Sequence, residues 1–325
     1  MKAIRVTKAG DPSVLRLEDL PQPKPGMGEA LVRNHGVGVN YADIYMRNGS
    51  ARVPVPFPFT PGIEGAGTVE AVGEGVTEVK PGDRVAYAGG PGSYAEYHVA
   101  KAALLAPLPN ELSFDQGAAI ILQGMTAHYL LHEFYPIRRG STVLVHAAAG
   151  GMGRMLIQWL KHLGATAIGT VSTEEKAKVA REAGADHVIV YTRQDFVEEA
   201  KKFTGGKGVD YVVDGVGKTT FTKDLDALRN RGWATIFGMA SGPAEPVAPN
   251  SLMAKALTIS GGSLYNYMNS REEMLRRAND VFTGVREGWL KVRVYRTLPL
   301  EQAAEAHRLL ESRATTGKLL LQIDG

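Results

Sequence analysis

Seven residues carry the first chemistry in this chain. Ala147-Ala148-Ala149-Gly150-Gly151-Met152-Gly153 follows a short apolar run, Thr142–His146. After it come Met152, Met155, Leu156, Trp159, Leu160 and Leu163, spaced as one stripe of an amphipathic helix that ends at Gly164. Set against the G-x-G-x-x-G pattern, Ala148, Gly150 and Gly153 hold its three glycine positions. The second position lets backbone approach a pyrophosphate, and the third lets the helix pack close to its strand. A helix start also offers unpaired N–H groups and a positive dipole end to phosphate. Ala149, Gly150, Gly151, Met152 and Gly153 are therefore the candidate phosphate-facing residues.

The next strand end selects the nucleotide. An NAD site places Asp or Glu about 20 residues past the glycines to hold a ribose hydroxyl. Here Ser172 stands 22 residues past Gly150, followed by Thr173-Glu174-Glu175-Lys176. A hydroxyl and a lysine one turn later suit a 2′-phosphate, which a carboxylate would repel, so the expected cofactor is NADPH. Ser172 and Glu175 also fit a capping box that needs no ligand, and the two readings are compatible. Tyr191, after the third strand, could cover the adenine, meet the phosphate or simply pack. Gly215-Val216-Gly217-Lys218-Thr219 imitates the end of a Walker A loop, but the required first glycine falls at Val212. Gly215 and Val216 are read instead as a strand-end turn close to the cofactor. His128 and His132 are four apart, but Tyr129 stands where a zinc-protease helix needs Glu, so they are read as packing.

Around these residues the chain has two rhythms. Up to about residue 110, alternating stretches such as MKAIRV, EALVRNHGVGV and GAGTVEAVG are stopped by Pro25–Gly26, Pro61–Gly62 and Pro81–Gly82, which predicts short strands and tight turns. From about residue 140, strands at Thr166–Val171, His187–Tyr191, Val209–Val213 and Trp233–Phe237 alternate with helices at Glu174–Ala183, Gln194–Phe203 and Lys218–Arg229. A strand at Leu257–Gly262 closes the block. This is the signature of a doubly wound parallel sheet, so the fold class is α/β with a second, β-rich part. The tail from Ser263 mixes helices at Glu272–Glu287 and Glu301–Ser312 with strands at Val292–Tyr295 and Lys318–Ile323.

Composition narrows the function classes. The chain has 325 residues, enough for about two domains. Its formal net charge is +3, and its basic residues come at most in pairs, which gives little pull toward nucleic acid or an anionic membrane. No stretch reaches the roughly 18 apolar residues of a membrane span. Zero cysteines remove disulfides, thiolate nucleophiles and cysteine-bound metals. The expected compartment is the cytoplasm.

With these residues assembled, the chain resembles the zinc-free, zeta-crystallin-like quinone oxidoreductases of the medium-chain dehydrogenase/reductase superfamily, over nearly its whole length. The resemblance rests on Val37-Gly38-Val39-Asn40-Tyr41-Ala42-Asp43, Pro61-Gly62-Ile63-Glu64-Gly65-Ala66-Gly67, Gly82-Asp83-Arg84-Val85, Gln123-Gly124-Met125-Thr126-Ala127, His146-Ala147-Ala148-Ala149-Gly150-Gly151 and Glu311-Ser312-Arg313-Ala314-Thr315. It implies a GroES-like catalytic domain from residues 1–122 and 263–325, and a Rossmann NADPH-binding domain from 123–262. It also implies a homodimer through the edge strand near Leu257–Gly262. Zinc-dependent relatives bind metal through Cys, His and Cys. The resemblance places Asn40, Ile63 and Gln123 at those positions and the short segment Ala88–Tyr97 at the structural-zinc loop, so no metal is expected.

By the same resemblance Asn40, Tyr41, Asp43, Tyr45, Arg47, Gln123 and Thr126 lie where substrate meets nicotinamide. Asn40 and Gln123 are expected to donate amide N–H bonds to a reduced quinone oxygen. Tyr45 or Arg47 is expected to add a hydroxyl or a charge. Many family members carry Lys at the Gln123 position, and a neutral amide offers no such charge. Phe237, Gly238, Met239, Ser263, Leu264 and Lys318 match the family's contacts to nicotinamide and phosphate. Hydride added to a simple ketone leaves an alkoxide with a conjugate-acid pKa of about 16, as for water. Added to a quinone it leaves a phenolate-like anion near tyrosine's value of about 10. The difference, about 8 kcal/mol, is what a metal need not supply. Quinones are thus the first expected acceptors and conjugated enones or enals the second. A nucleotide-regulated RNA-binding or crystallin-like protein is the reading from another class.

Overall fold

The computed structural model describes residues 1–323 and divides into two compact units. One comprises Met1–Met125, Met268–Arg286 and the chain from Val292 onward; the other comprises Thr126–Tyr267 and Glu287–Lys291.

The first unit opens with the antiparallel ribbon β1 (Lys2–Arg5) and β2 (Arg16–Asp19). There follow β3 (Glu29–Val39), α1 (Tyr41–Asn48), β4 (Glu64–Val72), β5 (Arg84–Ala88), β6 (Tyr97–Lys101), β7 (Leu105–Pro107) and α2 (Phe114–Tyr129). The second unit contributes β8 (Thr142–Val145), α3 (Gly151–His162), β9 (Thr166–Val171), α4 (Glu174–Glu182), β10 (His187–Val190), α5 (Phe196–Phe203), β11 (Val209–Asp214), α6 (Phe221–Ala227), β12 (Leu228–Ile236) and β13 (Thr258–Gly261). The chain returns to the first unit with α7 (Arg271–Arg286), β14 (Val294–Pro299), α8 (Ala303–Glu311) and β15 (Lys318–Gln322).

In the first unit a largely antiparallel sheet runs β14-β15-β3-β4-β5-β7, with β6 also on β3. The long β3 serves two cores. Ala30 and Val32 pack with Val69, Val85, Tyr87 and Leu105. Val37 and Val39 pack with Ile4, Phe59, Leu298, Leu319 and Leu321. A register irregularity against β4 at Asn34/Gly36 falls between the two groups. Gly38 is required by a close approach: a Cβ there would lie 2.2 Å from Glu64 Oε2 and 2.7 Å from the Ala118 carbonyl oxygen.

The second unit is a six-stranded parallel sheet in the order β10-β9-β8-β11-β12-β13. That is the 3-2-1-4-5-6 order of dinucleotide-binding sheets, with the order reversing between β8 and β11. Leu144, Ile168, Ile189, Val209, Val212 and Ala234 form its core with Phe196 and Phe221.

Some boundaries differ from the sequence reading. The units part at Met125/Thr126 and Tyr267/Met268 rather than at 122/123 and 262/263, and Glu287–Lys291 returns to the second unit. The side chains explain the shift: Tyr267 stacks on Tyr129 at 4.5 Å, and the Tyr129 hydroxyl donates to the Gly262 carbonyl. Lys291 donates its backbone N–H to Gln158 Oε1, and Trp289 packs on Trp159 and His162. The helix expected over Lys218–Arg229 shrinks to Phe221–Ala227, because residues 215–220 form a turn and Leu228 already pairs with Val209.

Gly38→Ala is expected to lower stability by about 1–3 kcal/mol, the usual range for overpacking, in chemical denaturation. A loss below 0.5 kcal/mol, the scale of a neutral surface change, would show that Glu64 and α2 yield freely at this point.

Candidate functional site

In the second unit, backbone builds a cradle at the end of β8. Ala147 adopts a left-handed conformation with φ of 50°, and Ala148 N–H donates to the Thr170 carbonyl at 3.0 Å. Gly150 caps α3 without a side-chain bond to its first N–H groups. Gly153 cannot carry a side chain, since its Cβ would lie 2.4 Å from the Ala147 carbonyl oxygen. The alanine at the first fingerprint position has a matching space opposite: a Cβ on Gly169 of β9 would come within 2.6 Å of the Ala148 methyl.

The strand-end corner after β9 corrects one expectation. The cap of α4 is Thr173, whose hydroxyl accepts the Lys176 N–H, so Ser172 is not the capping residue. The Ser172 hydroxyl instead meets Lys176 Nζ at 3.1 Å, bringing together the pair expected at a 2′-phosphate. Glu174 is paired with Arg193, a cation the sequence reading did not single out, which offsets the local negative charge. Thr192 ties this corner to the Ser172 carbonyl, and Tyr191 is half-exposed beside it.

At the end of β11 the Asp214 carboxylate, fully buried, accepts N–H bonds from Val216 at 2.6 Å and Gly217 at 3.2 Å and the Thr220 hydroxyl at 2.7 Å. Gly215 and Gly238 face one another so closely that a Cβ on Gly238 would lie 2.6 Å from the Gly215 carbonyl oxygen. Phe237 closes over Gly215, and the Met239-to-Ser241 segment bonds back to this turn. Thr126 is buried in α2, Leu264 is buried in a one-turn helix, and Ser263 before it is exposed. His128 is buried edge-on to Trp159 and lies against the ring of His132.

The first unit holds a buried polar cluster around Glu64, which is fully buried. Glu64 Oε1 accepts the Leu122 N–H at 2.8 Å. Glu64 Oε2 accepts from Asn40 Nδ2 at 2.9 Å and from Lys318 Nζ at 2.5 Å. Lys318 Nζ also donates to Asn40 Oδ1 at 2.7 Å. The Asn40 amide is thus fixed from both ends and spends its N–H groups on Glu64 and, at 3.4 Å, the Gly38 carbonyl. The donor expected to reach a quinone is engaged within the protein. Lys318, expected at the cofactor, is a buried counter-ion.

Two further expectations turn inward. Arg47 is buried rather than presented to a substrate, and its guanidinium grips Glu311 with two bonds, the Gly10 carbonyl and His307 Nδ1. Asp43, expected at the cofactor, is fully buried: its Oδ2 accepts the Asn40 N–H at 2.8 Å and the Tyr94 hydroxyl at 3.0 Å, closing the capping box of α1. Burial pushes the Asp43 carboxyl up to about 7. His307, between Arg47 and Tyr94, is driven down to about 3 by burial and the nearby guanidinium, so it is neutral. Tyr41 donates to the Leu310 carbonyl, and its ring tilts against Tyr45, 6.2 Å between centroids. Gln123 keeps a buried Oε1 with no hydrogen-bond donor among the described residues.

Comparison with known proteins follows this division. Residues 26–110 match the alcohol dehydrogenase GroES-like domain, and residues 151–280 match the zinc-binding dehydrogenase family. Quinone oxidoreductase 1 of Escherichia coli is 42% identical over 98% of both chains. A 2-haloacrylate reductase of a Burkholderia species is also 42% identical, over 97% of both. The crystal structure of E. coli quinone oxidoreductase complexed with NADPH superposes with a TM-score of 0.97 at 41% identity, covering 99% of this chain and all of that one. The chain belongs to the quinone oxidoreductase family of the medium-chain dehydrogenase/reductase superfamily.

The zinc implied by the broader dehydrogenase family does not fit this quinone oxidoreductase homologue. Ile63 offers only hydrocarbon, Asn40 is engaged at both ends of its amide, and an ammonium already neutralises Glu64, so a dication there would face a buried cation. Among the described residues no three His, Asp or Glu side chains gather as a ligand set.

Lys318→Met keeps most of the stem but strands a buried carboxylate. It is expected to lose about 3–5 kcal/mol of stability in urea unfolding, with most of the loss recovered on adding Glu64→Gln. A loss in the double variant equal to the sum of the two single-variant losses would show that Glu64 and Lys318 act independently.

Proposed function

We propose that this protein is an NADPH-dependent reductase of quinones, acting by hydride transfer without a metal. The observation that carries the reading is the Glu64–Lys318–Asn40 cluster, which occupies the Asn40 position of the family's metal site with an organic ion pair. Such a site has no Lewis acid to hold an alkoxide, so it favours acceptors whose reduced oxygen is already a stable anion. Bound NADPH supplies the hydride. The N–H groups of Gly151, Met152 and Gly153 at the start of α3 hold its pyrophosphate, with Ala149 and Gly150 beside them and the Gly150 N–H spent on the Ala147 carbonyl, and Ser172 and Lys176 hold its 2′-phosphate. Gly215, Val216, Phe237, Gly238 and Met239 border the nicotinamide half, joined by Thr126, Ser263 and Leu264 of the same unit.

Gln123 and Tyr45 are the groups we assign to the acceptor oxygen. Asn40 is committed to Glu64 and Lys318, whereas the Gln123 amide has a buried oxygen awaiting a donor, such as the hydroxyl of the reduced product. Asn40, Asp43, Arg47 and Lys318 become positioning residues. The 42% identity to a 2-haloacrylate reductase favours a second reading, reduction of a conjugated carbon–carbon double bond, in which hydride addition leaves an enolate.

We also propose a homodimer. β13 pairs only with β12 and forms an open edge of the parallel sheet, with the exposed Met253 and Tyr265 on the segments that flank it. No helix among the described residues is long and apolar enough to cross a membrane, and we place the protein in the cytoplasm. Sedimentation is expected to give twice the chain mass; a monomer at micromolar concentration would overturn the dimer.

Turnover followed at the NADPH absorbance band should be fastest with an ortho- or para-quinone, slower with a conjugated enone and absent with a secondary alcohol, with no effect of a chelator. Enone turnover above quinone turnover would favour the second reading. Chelator-sensitive alcohol oxidation would overturn both. Lys176→Ala should weaken NADPH about tenfold while sparing NADH, the scale of one charge-assisted phosphate contact.

A further inference from the structure

Where the strand order reverses, the ends of β8 and β11 carry a buried acid–base cluster that the proposed reaction does not use. His146 immediately precedes the cradle. Its Nε2 meets Asp224 Oδ1 of α6 at 2.7 Å, and its Nδ1 meets the Thr170 hydroxyl of β9 at 2.8 Å. The ring edge is closed by Phe196 of α5, 5.0 Å away between centroids. Asp224 is fully buried, and beside it lies Asp214, the carboxylate that holds the Val216 and Gly217 N–H groups and the Thr220 hydroxyl. The groups facing the cluster are thus Thr170 from β9, Phe196 from α5, Asp214 and the turn after β11, and Asp224 and Thr220 from α6.

The two carboxyl groups cannot both be satisfied as anions. Asp224 Oδ2 is buried and has no hydrogen-bond donor among the described residues, and its polar neighbour is another acceptor. A proton held between Asp224 and Asp214 supplies the missing donor and removes one buried negative charge.

We propose that His146, Asp224 and Asp214 form a proton-held latch that positions the Gly215–Gly217 turn for the dinucleotide, so that loss of its proton weakens cofactor binding. The proposal rests on the reading that this turn borders the cofactor. With the proton in place, Asp214 stays beside Asp224 and keeps its three bonds to the turn. Without it, two buried carboxylates repel one another. Gly215 has no slack to absorb the movement, because Phe237 and Gly238, just after β12, lie close against it. Burial raises Asp224 to about 7, against the pull of His146 and with the help of Asp214. Burial also works to lower His146, but Asp224 and Asp214 together raise it. Both shifts move proton loss upward, and affinity is therefore highest on the acid side.

The test uses the full-length protein and two cofactors. Dissociation constants for NADPH and NADH are measured across about pH 6 to 9, NADH serving because it lacks the 2′-phosphate that itself titrates near 6. The wild type is expected to lose about tenfold in affinity for both cofactors as pH rises. Asp224→Asn places an uncharged donor against Asp214 and is expected to give an NADH affinity independent of pH. A parallel slope in wild type and D224N, or no slope in wild type, overturns the latch. The infrared spectrum of the wild type minus that of D224N should hold a protonated-carboxyl band at low pH that fades at high pH, the Asp43 carboxyl cancelling in the difference. Its absence also overturns the proposal. Lys176→Ala, at the proposed 2′-phosphate corner and outside the cluster, should weaken NADPH at every pH while leaving NADH affinity and its pH slope unchanged. Unchanged NADPH affinity in K176A would refute the cofactor placement rather than the latch.

Discussion

The first unit depends on one carboxylate. Glu64 stands at the start of β4 and accepts bonds from the backbone of α2, from the amide that caps α1 and from an ammonium on β15. Each partner comes from a different element, so the carboxylate fixes their mutual placement more strictly than apolar contacts would. The arrangement is tolerable only because every buried oxygen has a donor and the charge has a counter-ion; either deficit would be severe in so dry a place. Gly38 and the fixed Asn40 amide are conditions of the same arrangement.

The second unit solves a different problem, bringing backbone N–H groups to an anion without side chains in the way. The cradle does this with glycine at Gly150 and Gly153 and with a paired Ala148 and Gly169. The turn after β11 does it with Asp214, which folds the backbone around itself and sets where α6 begins. One unit holds its polar groups by charge, the other by steric clearance. Both strategies leave the functional backbone with little freedom to relax.

Local features were legible in the sequence. The Gly150–Gly153 turn, the helical stripe through Trp159 and the strand–helix alternation each depend on residues within a few positions of one another. So does the hydroxyl–lysine corner, although its cap lies at Thr173 rather than Ser172. The misreadings share a cause. Lys318 and Glu64 are 254 residues apart, and Arg47 and Glu311 are 264 apart, so neither pairing leaves a mark on local pattern. The resemblance puts Arg47 and Asp43 in the cleft where substrate meets nicotinamide, and only their distant partners show why both lie buried. The α6 boundary was missed because the Gly242 carbonyl and the Ser241 hydroxyl, more than twenty residues downstream, take the Lys218 and Thr219 N–H groups that would have begun the helix.

The distance between Glu64 and Lys318 also bears on how the protein is made. A ribosome delivers β3, β4 and α2 well before β15, and in that interval Glu64 has no ammonium to meet. The nascent first unit therefore remains loose and hydrated around this carboxylate, while the parallel sheet, whose strands emerge in one continuous stretch, can close during translation. Completion of the older half waits on the younger strand.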